Sequence, residues 1–249
     1  IGNTNIVLGL YDKGNWQQVW RVESLHDAKI SFFENAIRQN FEKANLKTSA
    51  TTQIVVSSVV PPLTAKIETT LSNIFDPKPA FINPLIYPNI KVEINNPNEI
   101  GTDLVANAVA AHHHFKSNCI VVDFGTALTF TTITKAGKIL GVAIAPGIKT
   151  AVKALAGNAA QLPEVPMEVP ESAIGKNTIQ AIQGGIHVGY IGLVRHVLAT
   201  IRAEVGTDYI AIATGGLSTV LGDLKNDFEK IDKNLTLEGL RIIGAYLLE

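Results

Sequence analysis

The chain has 249 residues, 46% hydrophobic and 17% charged, which excludes general disorder and supplies enough apolar surface for a real core. Lys plus Arg number 21 against 22 Asp plus Glu, a net charge of −1, so the basic excess of a phosphate-neutralising nucleic-acid binder is missing. Cys119 is the single cysteine, which rules out an intramolecular disulfide, argues against a cysteine-based zinc site and fits a reducing, cytoplasmic setting. The apolar runs fall far short of the roughly 20 residues of a membrane helix, so no membrane partner is expected. No basic-then-apolar opening suggests export.

In chain order, β-rich runs at 6–11 and 17–22 flank Asp12-Lys13-Gly14-Asn15, a hairpin signal. Ile30, Phe33, Ile37 and Phe41 then share one helical face. Residues 54–60 read as a buried strand stopped by Pro61-Pro62, and Ile67, Leu71 and Ile74 predict a helix directly after it. The Pro- and Asn-rich stretch 76–98 reads as irregular connection with one strand at 90–94, followed by a helix over 103–115. The second half repeats the order. A strand at 119–123 leads to a hairpin of 128–134 and 139–144 around Ala136-Gly137. Helices follow at 149–160 and 178–204, then a strand at 209–213 ending in Thr214-Gly215-Gly216, and a last helix from 236. In the long helix, Ile182, Ile186, Leu193 and Val197 suit either a core or an interface.

The halves align at a constant offset of 123, with Gly2 on Gly125, Leu10 on Ile133 and Gly14 on Gly137. Two pseudo-equivalent α/β lobes around a cleft are expected, over residues 1–115 and 116–249. The counterpart of Asp123 would fall immediately before Ile1, where a further residue is expected.

Gly2-Asn3-Thr4 and Gly125-Thr126 occupy equivalent turns, and Gly215-Gly216 follows a buried strand. Glycine lets backbone approach a phosphate closely, and amides and hydroxyls there can donate to its oxygens. Walker, Rossmann and G-x-S-x-G patterns are absent. Asp123 reads as a cation-holding carboxylate or as a turn-initiating Asp. Asp103 reads as a proton-accepting base or as a helix cap. His112, His113 and His114 are consecutive, so a helix aims them apart and a shared metal is not expected.

Eight motifs follow one another along the chain. They are Gly2-Asn3-Thr4, Ser57-Ser58-Val59-Val60-Pro61-Pro62, Gly101-Thr102-Asp103, Val122-Asp123-Phe124-Gly125-Thr126, Ala145-Pro146-Gly147-Ile148, Leu162-Pro163, Ile174-Gly175-Lys176-Asn177-Thr178 and Ala213-Thr214-Gly215-Gly216-Leu217. Together they closely resemble the type III pantothenate kinases, over nearly the whole chain. The resemblance implies two ribonuclease-H-like lobes of the actin-like ATPase fold. It also implies a homodimer that phosphorylates pantothenate with ATP, Mg2+ and a monovalent cation, K+ or NH4+. On this likeness Asp103 is the general base and Asp123 the cation carboxylate. Gly2, Asn3, Thr4, Gly125, Thr126, Gly215 and Gly216 hold ATP. Tyr87, Gly101, Thr102 and Thr178 form the pantothenate pocket, Thr178 reaching in from the partner subunit. The chain departs from the family pattern at Leu104, where arginine is usual, at Thr131, usually Asp, and at Ala159, usually Thr. These departures keep open a nucleotide-binding regulatory paralogue and a same-fold kinase for another small alcohol.

Overall fold

The computed structural model describes residues 1–216 and 222–248, which form α/β elements in two compact units. One unit comprises residues 1–110 and 236–249, the other 111–235. This grouping gives the last helix to the first unit, whereas a division at residue 115 would leave it in the second. The reason lies in helix packing. Helices α3 (Thr102–Phe115) and α6 (Leu235–Tyr246) approach so closely that a β-carbon on Gly239 would collide with the Ala106 carbonyl. Thr236 also donates to the side-chain oxygen of the fully buried Asn107, at 2.7 Å.

The first unit opens with an antiparallel hairpin, β1 (Asn5–Asp12) and β2 (Asn15–Glu23). Lys13 and Gly14 have φ of 48° and 83°, the left-handed pair that matches the twist of the flanking strands. Helix α1 (Ile30–Lys43) buries Phe33, Ile37 and Phe41 at helical spacing. The strand expected through residue 60 is much shorter. β3 is only Val55–Val56, paired in parallel with β4 (Ala80–Phe81). The two prolines open a helix rather than merely end a strand, because a first helical turn has no use for the N–H that proline lacks. Helix α2 (Pro61–Ile74) thus starts at Pro61 and buries Leu63, Ile67, Leu71 and Ile74 against α1 and the hairpin. A 3-10 segment, Pro84–Asn89, and a short β5 (Glu93–Ile94) lead to α3.

In the second unit the strands run in the order β10–β9–β6–β7–β8. β6 (Cys119–Phe124), β7 (Ala127–Ile133) and β8 (Lys138–Pro146) are antiparallel neighbours, while β9 (Ile210–Thr214) joins β6 in parallel and β10 (Lys230–Ile231) joins β9. One face of this sheet presents Ile120, Val122, Phe130 and Ala213 to Tyr190, Val194 and Leu198 of helix α5 (Thr178–Val205). Ile182 is buried in the core of this unit, and Ile186, Leu193 and Val197 pack against it while staying partly exposed. Helix α4 (Ile148–Asn158) follows β8 directly.

The offset read from sequence reappears in the elements. β2 runs over 15–23 and β8 over 138–146, 123 residues apart at both ends. Gly14 and Gly137 have matching φ of 83° and 88°. Among the described residues, no helix is long and apolar enough to cross a membrane.

The Tyr190 hydroxyl donates to the Pro146 carbonyl at 2.7 Å, tying α5 to the end of β8. Tyr190→Phe leaves that carbonyl without its partner and should cost about 0.5–1.5 kcal/mol in urea unfolding, with an unchanged m-value.

Candidate active site

The first unit gathers Gly101, Thr102, Asp103, Ser57 and Tyr87. Gly101 caps α3, its carbonyl accepting the first helical bond from Val105 N–H at 3.1 Å. Asp103 therefore lies inside the first turn, past the capping position. Its Oδ1 accepts the Leu104 N–H at 2.8 Å and occupies the space a side chain on Gly101 would need, 2.5 Å from where a β-carbon would stand. Burial pushes the Asp103 carboxyl above the usual carboxylate range, and the Leu104 amide offsets only part of this. The Thr102 hydroxyl is engaged with Ser57 Oγ at 2.7 Å and the Ser58 carbonyl at 3.3 Å, fastening the start of α3 to the segment after β3. Ser57 appears in the sequence only as part of a motif and not as a site residue, because 45 residues separate it from Thr102 and only the fold brings the two together.

Tyr87 is buried in the 3-10 segment, and its hydroxyl has no hydrogen-bond partner. Burial first, and the Asp103 charge second, hold its phenol above the ordinary value. An unpaired buried hydroxyl costs about 1–3 kcal/mol, so this one is suited to a polar ligand atom. The Gly2-Asn3-Thr4 turn is held by Ser24, whose Oγ donates to the Gly2 carbonyl at 2.6 Å and whose N–H donates to the Thr4 carbonyl at 3.1 Å. Asn3 and Thr4 are exposed. Leu104 is buried, so its side chain joins the core and presents no cation.

The second unit gathers Asp123, Gly125, Thr126, Gly147 and Gly215. The Thr126 carbonyl accepts from Gly147 N–H at 3.0 Å and from Thr150 Oγ1 at 2.6 Å, pinning the turn to the first residues of α4. A β-carbon on Gly147 would collide with the Gly125 carbonyl and stand 2.6 Å from that of Thr126. A helix N-terminus beside a glycine turn favours anions through its unpaired amides. Gly215, at φ 93°, sits where a β-carbon would fall 2.5 Å from Asp123 Oδ1 and 2.7 Å from Phe124 N. Gly216 is exposed, and Leu217 lies outside the described residues.

Thr129 carries no role in the sequence reading, while Thr131 stands out there only as a departure from the family pattern and Thr214 only as part of a motif. Thr129, Thr131 and Thr214 have hydroxyls with no hydrogen-bond partner. For Thr129 and Thr131 the available signal was polar residues alternating inside the apolar strand 127–133. Thr178 stands apart. It opens α5 after Asn177, whose side chain caps the helix by accepting from Gln180 N–H at 2.9 Å. It lines a cavity of about 600 Å³ with Leu155, Leu162, Gly175 and Lys176, and none of Asp123, Gly125, Thr126 or Gly215 lines that cavity.

Among the described residues, no group of three or more His, Cys, Asp or Glu could hold a metal alone. Asp123 offers one carboxylate beside neutral hydroxyls. That donor set fits a cation that keeps waters and takes further ligands from phosphate oxygens.

A family model described as type III pantothenate kinase matches residues 1–200. A type III pantothenate kinase of Anaeromyxobacter sp. (strain K) is 41% identical, covering 98% of this chain and 96% of its own. The chain belongs to the type III pantothenate kinase family. Two solved structures share its fold. A Campylobacter jejuni protein assigned to the Baf family of transcriptional activators superposes with a TM-score of 0.58 at 20% identity, over 97% of this chain and 93% of its own. The Acidaminococcus fermentans (R)-2-hydroxyglutaryl-CoA dehydratase component A gives 0.52 at 14% identity, over 100% and 94%. The fold is that of the actin-like ATPases and sugar kinases, as the family resemblance implies.

Two outcomes test this geometry. Because burial raises the Asp103 pKa, folding favours its protonated form; the stability so gained is present below the ordinary Asp value and lost as pH rises through the raised one. Asp103→Asn escapes that loss. Its urea midpoint should match the parent at low pH and exceed it progressively as pH rises; parallel curves would contradict a desolvated carboxylate. Gly147→Ala should distort the Gly125–Thr126 turn, weakening ATP binding in calorimetry by tenfold or more.

Proposed function

We propose that the chain transfers the γ-phosphoryl group of ATP to the primary hydroxyl of pantothenate, with Asp103 as general base. The observation that carries this is the desolvated carboxyl of Asp103 in the first turn of α3, seated in the space that a side chain at Gly101 would fill. A base whose pKa is raised toward the working pH accepts a proton more effectively. Asp103 takes the hydroxyl proton as that oxygen bonds to the γ-phosphorus and the bond to the β-phosphate oxygen breaks. The products are 4′-phosphopantothenate and ADP, and Asp103 then returns its proton to solvent. The Tyr87 hydroxyl, Gly101 and Thr102 belong to the substrate side; Thr102 acts by positioning α3 through Ser57 and Ser58.

The turns Gly2-Asn3-Thr4, Gly125-Thr126 and Gly215-Gly216 hold the nucleotide through close backbone approach. Asp123 would hold a cation, Mg2+ or a monovalent ion such as K+ or NH4+, which would supply positive charge beside the phosphate oxygens. Such transfers depend on positioning and charge stabilisation, so the loss of one guanidinium at Leu104 is compatible with turnover. The requirement for ATP suits the cytoplasm.

The chain works as a homodimer in this reading. Gly185, Gly189 and Gly192 lie along α5, and β-carbons there would meet no atom within 4 Å among the described residues, leaving a smooth surface for a second copy. Thr178, at the head of the same helix, would then serve the partner's pocket. Gly189→Leu should shift sedimentation velocity from dimer to monomer and lower turnover with it; an intact dimer would remove α5 from the interface.

The activity is tested by mass-spectrometric detection of 4′-phosphopantothenate with ATP, Mg2+, pantothenate and either K+ or Na+. Product formation is expected, falling about 10²–10⁴-fold or more in Asp103→Asn. An acid limb in kcat/KM should inflect above the ordinary Asp value. Full activity in Asp103→Asn would remove it from the mechanism.

A further inference from the structure

The register of the second unit lines three side chains across its sheet. Asp123 of β6 lies directly opposite Thr129 of β7 on one side and Thr214 of β9 on the other. Residues directly opposite one another project to the same face. The row therefore reads Thr214, Asp123, Thr129, with the carboxylate in the middle. Both threonines are buried, at 1% and 8% exposure, and neither hydroxyl has a hydrogen-bond partner. Two residues further along β7, Thr131 repeats the pattern on the same face, opposite Val121.

Packing alone does not ask for these hydroxyls. The other face of the same strands is filled by Ile120, Val122, Phe130 and Ala213, and valine has threonine's shape without its desolvation cost. Buried hydroxyls that lack a protein partner on both flanks of one carboxylate are suited to ordered water or an ion's hydration shell. Gly215 adds a constraint, since its missing β-carbon leaves the Asp123 carboxylate the space beside Thr214.

We propose that Thr129 and Thr214 are positioning residues that hold, through their hydroxyls, the water shell of the hard cation bound at Asp123. This rests on Asp123 being the cation's carboxylate. The chemistry of the row, one negative charge between two neutral oxygens, is shared by hydrated divalent and monovalent ions. A hydroxyl on each side fixes where the ion's waters point and so where its open positions face the phosphates.

The test uses the full chain with ADP and no pantothenate, so that no turnover enters. Thermal melting is followed while Mg2+ is titrated at fixed K+, and K+ at fixed Mg2+. Thr129→Val and Thr214→Val should each raise the half-saturating concentration of one of the two cations by tenfold or more, and the arm that responds identifies the ion. Their melting temperatures without cation should not fall, because a buried unpaired hydroxyl has been replaced by a methyl group. Thr129→Ser, which keeps the hydroxyl, should titrate like the parent. Parent-like titrations in both valine variants, or a loss of cation-free stability that accounts for the whole effect, overturn the proposal. Asp123→Asn separates it from the reading it rests on. If Asp123→Asn abolishes the cation response while the valine variants retain it, only the threonine proposal fails. If Asp123→Asn titrates normally, both fail.

Discussion

Around the end of β6 the backbone closes so tightly on itself that Gly147 and Gly215 become obligatory, and the chemistry of the second unit follows from that crowding. Gly125 makes the turn, Gly147 lies against its carbonyls, and Gly215 presses on the Asp123 carboxylate from the neighbouring strand. A β-carbon at Gly147 or Gly215 cannot enter without moving main chain. Backbone packed this densely cannot reorganise when a charged ligand arrives, so its amides and its single carboxylate are already oriented. Preorganisation of that kind is where catalysts of phosphoryl transfer gain most of their advantage.

In the proposed mechanism the two aspartates divide the labour, and their environments differ accordingly. Asp103 sits in the first turn of a buried helix, where desolvation outweighs its backbone amide donors, and therefore holds a proton more readily than a surface carboxylate. Asp123 stands at a strand end between threonines and glycine turns, where neutral oxygens and open backbone surround it. One setting favours taking up a proton and the other favours holding a positive ion. A family that transfers phosphoryl groups needs both.

Much of this was readable in the sequence, and the limits have physical causes. The Lys13-Gly14 hairpin and the offset of 123 survive into the fold because turn chemistry and strand alternation are local properties. The strand expected over 54–60 does not form beyond Val56. Its β-branched run satisfies strand propensity, but β4 offers only two residues to pair with, and Pro61-Pro62 suits a helical first turn. Asp103 was visible through its glycine, yet its place inside the helix rather than at the cap, and the raised pKa that follows, came only from three-dimensional burial. Thr129 and Thr214 were invisible as partners of Asp123, because 85 residues separate the two threonines and only strand register makes them neighbours.

Helix α5 carries a cost that its smooth surface conceals. Gly184, Gly185, Gly189 and Gly192 fall within nine consecutive residues at the middle of a 28-residue helix. Each loses about 1 kcal/mol of helix propensity relative to alanine, because glycine surrenders the most backbone freedom on ordering. Gly184 has a local reason, since a side chain there would stand 2.9 Å from the Ala173 carbonyl. The other three are bare. In an uncovered chain this stretch is the weakest part of the helix, with amides that open to solvent more often than those of the turns on either side. A surface packed over those glycines would shield their backbone from water and so offset part of that cost.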